Sequence, residues 1–146
     1  MKTILVALDF SEYSNEVEKV GYEMAKALGA SVTLITVVNK SLDYTAAYFT
    51  GLTFSDQWEE RLYLAQQKLE EVKNNHPDIT THIVSFIGYP KKDIIEAACD
   101  PDVCYVVVGT HGRTGISNMI MGGTTAFLVQ HSVKPVIVVP FKTNRH

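Results

Sequence analysis

Glycines and small hydroxyl residues are concentrated in one stretch of this sequence, in a pattern suited to holding a phosphate group. The stretch opens with Gly109-Thr110-His111-Gly112-Arg113-Thr114-Gly115 and closes with Gly122-Gly123-Thr124-Thr125. Glycine lets the backbone turn tightly and bring its N–H groups close to an anion. The hydroxyls of Thr124 and Thr125 and the charge of Arg113 could add further donors. Glycine clusters also occur in plain turns, so the pattern alone leaves both interpretations open.

The spacing of the residues disfavours two other nucleotide-binding loops, a metal site and a hydrolase nucleophile. No glycine is followed by Lys and then Ser or Thr, as in a Walker A loop, and no Gly-x-Gly-x-x-Gly follows the first apolar run. The histidines outside the glycine-rich stretch lack the spacing of metal ligands. Ser117 is not part of a Gly-x-Ser-x-Gly elbow. The two cysteines, Cys99 and Cys104, are predicted to be buried, unreactive thiols rather than a disulfide.

Five short apolar runs predict the strands. The runs at 4–8, 32–38 and 103–108 are apolar on both alternating faces, which is typical of a parallel sheet covered on both sides. The run at 80–87 alternates with polar residues and is therefore placed nearer an edge of the sheet. The run at 135–139 is short and bracketed by prolines, which suits an edge or a terminus.

Apolar residues at spacings of three and four predict the helices between these strands. Helices are predicted at 14–28, with Gly29 as a C-terminal stop, and at 54–72 and 91–99. A last helix is predicted from about residue 117 or 122 to 131.

Strands that alternate with helices predict a doubly wound α/β fold, with helices on both faces of a five-stranded parallel sheet. A length of 146 residues, of which 46% are hydrophobic and 20% charged, is typical of a single globular domain over 1–146. Ligands of such sheets bind beyond the carboxyl ends of the strands, where the winding reverses. The glycine-rich stretch follows one of these ends. The long connection at 40–53 is either a flap over a site, a partner contact or a tolerated insertion.

The net charge of −3 argues against non-specific electrostatic binding to nucleic acid or anionic lipid, because such binding needs clustered cations. No apolar run is long enough to cross a bilayer, and the opening run ends at Asp9, too early for a signal peptide. We therefore expect a cytoplasmic protein with no nucleic-acid partner and no membrane association.

The spacing of the glycines resembles the signature of the universal stress protein family, which is Gly-x-x-Gly, nine residues, then Gly followed by Ser or Thr. Here Gly109-x-x-Gly112 is followed by the nine residues 113–121 and then by Gly122. The likeness continues in the opening Ile4-Leu5-Val6-Ala7-Leu8-Asp9-Phe10-Ser11, the Gly88-x-Pro90 turn and the terminal Lys134-Pro135-Val136-Ile137-Val138-Val139. It implies an adenine nucleotide alpha hydrolase-like fold with strand order 3-2-1-4-5, in which ATP or another adenine nucleotide lies between the first and fourth strands.

The resemblance also implies positions for the parts of the nucleotide. The adenosine would lie against Ala7, Asp9 and the backbone of Val37, with the Asp9 carboxylate near the ribose hydroxyls. A purely structural role for Asp9, at the entry turn of the first helix, is the alternative. Mg²⁺ or Mn²⁺ would accompany the phosphates. Arg113 is added to the site from its charge and placement. The complete predicted ligand-binding set is Ala7, Asp9, Val37, Val108, Gly109, His111, Gly112, Arg113, Gly122, Gly123, Thr124 and Thr125.

One position departs from the family signature. Gly123 stands where the signature has Ser or Thr, so a side-chain hydroxyl is missing although the backbone N–H remains. Loss of one such hydrogen bond costs about 0.5–1.5 kcal/mol, or roughly a factor of two to ten in affinity. Thr124 could substitute for it.

Three functions follow from these observations. The first is a nucleotide-binding, stress-response regulatory protein, dimeric through the apolar edge at Val136–Val139. The second is a protein-interaction module of the same fold that has lost nucleotide binding, which Gly123 favours. The third, an ATP-using enzyme, lacks a recognisable base or nucleophile beside the glycine-rich loop. We expect a homodimer that is not an enzyme, with at most weak incidental ATP hydrolysis.

Overall fold

Five strands form one parallel sheet in the computed structural model, which describes residues 1–11, 13–40, 54–110 and 122–140. Their order across the sheet is β3-β2-β1-β4-β5, which confirms the predicted order and the predicted edge position of the third strand. The strands are β1 (Thr3–Ala7), β2 (Ser31–Asn39), β3 (Thr81–Gly88), β4 (Val103–Gly109) and β5 (Val136–Val139).

Four helices connect or follow these strands. They are α1 (Ser14–Leu28), α2 (Phe54–Asn74), α3 (Pro90–Ala98) and α4 (Gly123–His131). Gly29 ends α1 with a φ of 64°, a left-handed conformation that glycine adopts without the steric penalty of a Cβ atom. Of the two predicted starts of the last helix, the one at residue 122 agrees with the structure to within one residue.

The core consists of two layers, one on each face of the sheet. Ile4 and Val6 of β1 point into the layer beneath α1 and α2, whereas Leu5 between them points into the layer beneath α3 and α4. All three side chains are at most 1% exposed. Both faces of β1 are buried, which explains why its sequence is a continuous apolar run rather than an alternating one.

Two predictions of burial are wrong. Cys99 is exposed and Cys104 is only half-buried. Cys99 follows the last residue of α3, where Ala98 takes the buried position and turns the thiol outward, with its Sγ 3.4 Å from the carbonyl oxygen of Ile95. Leu28, the last residue of α1, is also 55% exposed, because it lies beyond the buried Ala25.

The predicted long connection falls outside the described residues except for Lys40. Within the part of the chain that the structure describes, no helix combines the length and the apolar character needed to span a membrane.

Candidate functional site

A cavity of about 420 Å³ opens where the carboxyl ends of β1, β2 and β4 meet. This is the place that the reversal of winding predicts for a ligand. His111, Gly112 and Arg113 lie outside the described residues. The other nine residues of the predicted site all line this cavity: Ala7, Asp9, Val37, Val108, Gly109, Gly122, Gly123, Thr124 and Thr125.

The first wall of the cavity is the turn that leads from β1 into α1. The Asp9 Oδ1 atom accepts a hydrogen bond from the backbone N–H of Ser11 at 2.9 Å and from the hydroxyl of Ser14 at 3.1 Å. Phe10, between Asp9 and Ser11 in the sequence, has a φ of 58°, which is a strained conformation for a residue with a Cβ atom. Backbone strain of this kind is concentrated at ligand sites. The structural role of Asp9 is therefore confirmed for one oxygen atom, and the ribose contact stays a prediction.

The second wall is the end of β2, which is held against the end of β1. The buried Thr36 hydroxyl donates to the carbonyl oxygen of Leu8 at 2.8 Å, and the N–H of Leu8 donates to the carbonyl oxygen of Ile35 at 3.0 Å. These bonds keep Val37 at the cavity beside Ala7. An aliphatic side chain and backbone groups at this position could contact a flat, apolar ring and bond to its edge.

The third wall is the start of α4, which is tied to the end of β4. The N–H of Gly122 donates to the carbonyl oxygen of Thr110 at 2.8 Å, and the Thr125 hydroxyl donates to the carbonyl oxygen of Gly109. Thr125 was expected to offer its hydroxyl to a phosphate. Because its single hydroxyl hydrogen is directed at Gly109, Thr125 can offer only its backbone N–H to a ligand as a donor.

The first residues of α4 line the cavity, and their amides have no acceptor inside the helix. The first intrahelical bond runs from the N–H of Ala126 to the carbonyl oxygen of Gly122 at 2.9 Å. The amides of Gly123, Thr124 and Thr125 precede it in the chain, and Gly122 provides no side-chain cap. Three N–H groups at the positive end of a helix dipole form a suitable site for an anion.

The model of the universal stress protein family matches residues 1–140 of the chain. The chain belongs to this family. A curated relative, universal stress protein MJ0531 of Methanocaldococcus jannaschii, is 29% identical over 144 residues, which cover 94% of this chain and 81% of the relative. Universal stress protein Mb2028c of Mycobacterium bovis is 28% identical, and the chain spans only 44% of its length.

Solved structures share the fold of this universal stress protein. UspA from Lactobacillus plantarum superimposes with a TM-score of 0.83, at 22% identity, over 94% of this chain and 97% of that one. The hypothetical protein MJ0577 gives a TM-score of 0.76, at 26% identity, over 98% of both chains. Two further universal stress proteins of the same fold were solved with bound nucleotides, one with cAMP and one, from Archaeoglobus fulgidus, with dAMP.

Two cations that the sequence pattern did not single out also line the cavity. Arg61 and Lys68 lie seven residues apart on α2, with Leu64 and Ala65 between them on the same wall. The Lys68 Nζ atom lies 5.3 Å from the centroid of the Phe10 ring. The spacing of seven is the one signal that could have placed both cations on one face of a helix. Their distance from the cavity depends on how α2 packs, which the sequence does not reveal.

The charge of the cavity lining differs in sign from that of the whole chain. The described lining carries Arg61 and Lys68 against a single carboxylate, Asp9, whereas the chain has a net charge of −3. A cationic cavity in an anionic protein favours an anionic ligand. Among the described residues, no three His, Cys, Asp or Glu side chains lie together in a way that could hold a metal ion.

Proposed function

We propose that this universal stress protein binds ATP or another adenine nucleotide in the cavity at the carboxyl ends of β1, β2 and β4, and acts as a regulatory dimer in the stress response. The observation that carries the proposal is the convergence of nine sequence-predicted residues, from four separate segments of the chain, on one cavity. The nucleotides bound to two structural relatives, cAMP and dAMP, are of the same chemical class and support it.

The three walls suit the three parts of a nucleotide. The adenine would lie against Val37 and Ala7, the ribose hydroxyls near Asp9, and the phosphates at the amides that open α4. His111, Gly112 and Arg113 would complete the phosphate site. Mg²⁺ or Mn²⁺ would bind mainly through phosphate oxygens and neutralise part of their charge.

The proposed role is binding rather than turnover. Asp9 is the carboxylate of the described cavity lining; its Oδ1 atom accepts two hydrogen bonds within the entry turn and its other oxygen is proposed to contact the ribose, so neither is assigned to the phosphates as a general base. A steady-state ATPase rate above about 1 s⁻¹, within the usual enzymatic range, would contradict this role.

Isothermal titration calorimetry of ATP into the purified protein tests the proposal. We expect saturable binding in wild type and its loss in Thr124→Trp, because the indole would fill the phosphate end of the cavity. Thr80→Trp is the matched control, since Thr80 is exposed and directly precedes β3, at the amino ends of the parallel strands and so at the opposite end of the sheet from the cavity. Absence of heat with wild type at millimolar ATP would overturn the proposal and favour the interaction module that Gly123 suggests.

A further inference from the structure

The ammonium group of Lys91 lies beside the start of α4. A Cβ atom built on Gly123 would be 3.5 Å from Lys91 Nζ and 3.6 Å from Lys91 Cε, so the end of the lysine side chain reaches the first residue of the helix. Lys91 belongs to the first turn of α3 and directly follows Pro90, which lines the cavity. No sequence motif assigns this lysine a role.

The position of Lys91 is electrostatically unfavourable in the absence of an anion. The N-terminus of a helix carries a partial positive charge that disfavours nearby cations. Lys91 lies at two such ends: in the first turn of α3, where the carboxylate of Asp93 offsets its charge, and against the first residue of α4, whose first turn contains no acidic residue. No carboxylate of a described residue forms an ion pair with it. Local arrangements that oppose stability in this way are expected where a protein binds a ligand.

We propose that Lys91 binds the terminal phosphate of a nucleoside di- or triphosphate whose inner phosphate is held by the amides that open α4. This inference rests on the proposed function and narrows its ligand class to polyphosphates. The amides of Gly123 and Thr124 are fixed and reach only the phosphate seated on the helix. An ammonium group on a flexible stem binds as a mobile point charge and can meet the next phosphate along the chain.

The Gly123 amide and the Lys91 ammonium group are close enough to contact the same ligand. The space beside the Gly123 backbone is bounded by the Lys91 ammonium group, so a phosphate chain bound at the Gly123 amide would also meet the lysine. A serine would also fit, because distances of 3.5 and 3.6 Å from a Cβ atom are ordinary van der Waals contacts. We expect Lys91 to supply a donor in place of the hydroxyl that the family signature has at position 123.

Calorimetric titration with ATP, ADP and AMP, each with Mg²⁺, tests this assignment. We expect Lys91→Gln to weaken ATP and ADP binding about tenfold, the usual effect of losing one charged hydrogen bond, and AMP binding less than about twofold. Lys92→Gln is the matched control, because Lys92 is exposed in the same turn and its loss changes the net charge equally. Adding Gly123→Ser to Lys91→Gln should restore part of the ATP affinity.

The outcomes separate this inference from the function on which it rests. If wild type binds no ATP, both are overturned. If wild type binds ATP and Lys91→Gln matches Lys92→Gln, the lysine assignment alone is overturned. Equal weakening of ATP and AMP by Lys91→Gln would overturn the preference for polyphosphates. Far-ultraviolet circular dichroism of each variant establishes that a loss of affinity is not a loss of fold.

Discussion

The Asp9 carboxylate has a structural role in the turn after β1 and a proposed role in ligand binding, and each role can be assigned to one of its oxygen atoms. Oδ1 accepts hydrogen bonds from Ser11 and Ser14 and so fixes the turn into α1. The ribose contact of the proposed nucleotide would then fall to Oδ2. A single side chain at this position thus links the stability of the entry turn to the affinity of the cavity.

Asp9→Asn separates the structural role from the binding role, because asparagine keeps one acceptor oxygen and replaces the other with an NH₂ donor. We expect the free energy of unfolding to change by less than about 0.5 kcal/mol and ATP affinity to fall about three- to tenfold, from loss of one hydrogen bond. Urea denaturation and calorimetric titration measure the two quantities. Asp9→Ala is the companion variant, which should lower both. A stability loss in Asp9→Asn with unchanged affinity would assign Asp9 to the turn alone.

At the scale of elements, the start of α4 is positioned by its bonds to the end of β4. The Thr125 hydroxyl, on a side chain only 6% exposed, bonds to the carbonyl oxygen of Gly109, which ends β4. The N–H of Gly122 bonds to Thr110 one residue further on. The amides proposed to hold phosphate are therefore fixed relative to the sheet rather than carried by a free helix end.

Thr125→Val removes the hydroxyl but keeps the shape of the side chain. We expect a loss of about 1 kcal/mol in the free energy of unfolding and a several-fold loss of ATP affinity, because one bond that fixes the start of α4 disappears. Thr124→Val is the matched control for stability, since Thr124 is the neighbouring, half-exposed threonine. Equal stability of the two variants would show that the Gly109 contact does not hold α4 in place.

A second link between elements joins α1 to β3 on the far side of the sheet from α4. The Tyr22 hydroxyl lies 2.9 Å from the Thr81 hydroxyl, and the Tyr22 ring stacks on His76 with centroids 3.6 Å apart. His76 in turn contacts Glu18 at 2.8 Å. Burial raises the pKa of Tyr22 above its usual value, and the charge of Glu18 adds to this, whereas the bond with Thr81 acts in the opposite direction.

The raised pKa of Tyr22 predicts alkaline sensitivity. Folding favours the neutral phenol, so this contribution to stability is complete below the ordinary tyrosine pKa of about 10 and is lost as the pH rises through the higher pKa of the folded state. We expect Tyr22→Phe to cost about 0.5–1.5 kcal/mol at pH 7 and to lose less stability than wild type above pH 10. Tyr63→Phe, at an exposed position, is the control. Parallel stability curves for wild type and Tyr22→Phe at alkaline pH would contradict this prediction.

The sequence was sufficient to predict those features of the fold that depend on a local pattern of residues, such as the central strand. Leu5 of β1 is apolar because α3 and α4 cover its face of the sheet, so a continuous apolar run was enough to indicate a central strand. The positions of Arg61, Lys68 and Lys91 depend instead on how helices pack around the cavity. Helix packing is set by side chains distant in sequence, so no local spacing reveals which surface cations reach a site.

At the scale of the whole molecule, β5 forms one edge of the sheet. The carbonyl oxygens of Pro135 and Val139 accept hydrogen bonds from the N–H groups of Val106 and Thr110 in and after β4. Alternate residues of a parallel strand bond to the same neighbour, so Val136 and Val138 direct their backbone groups away from β4. The side chains of Val136, Ile137 and Val138 are half-buried. This edge could pair with a second copy of the chain, as the proposed dimer requires.

Val138→Pro tests that dimer without breaking the sheet, because the N–H that proline lacks points away from β4 and prolines are tolerated on edge strands. We expect a dimeric wild type and a monomeric Val138→Pro with an unchanged circular dichroism spectrum, measured by size-exclusion chromatography with light scattering. Val138→Ala, which keeps the N–H, should remain dimeric. A folded Val138→Pro that stays dimeric would place the interface elsewhere, and ATP titration into its monomer would measure whether the cavity binds independently of assembly.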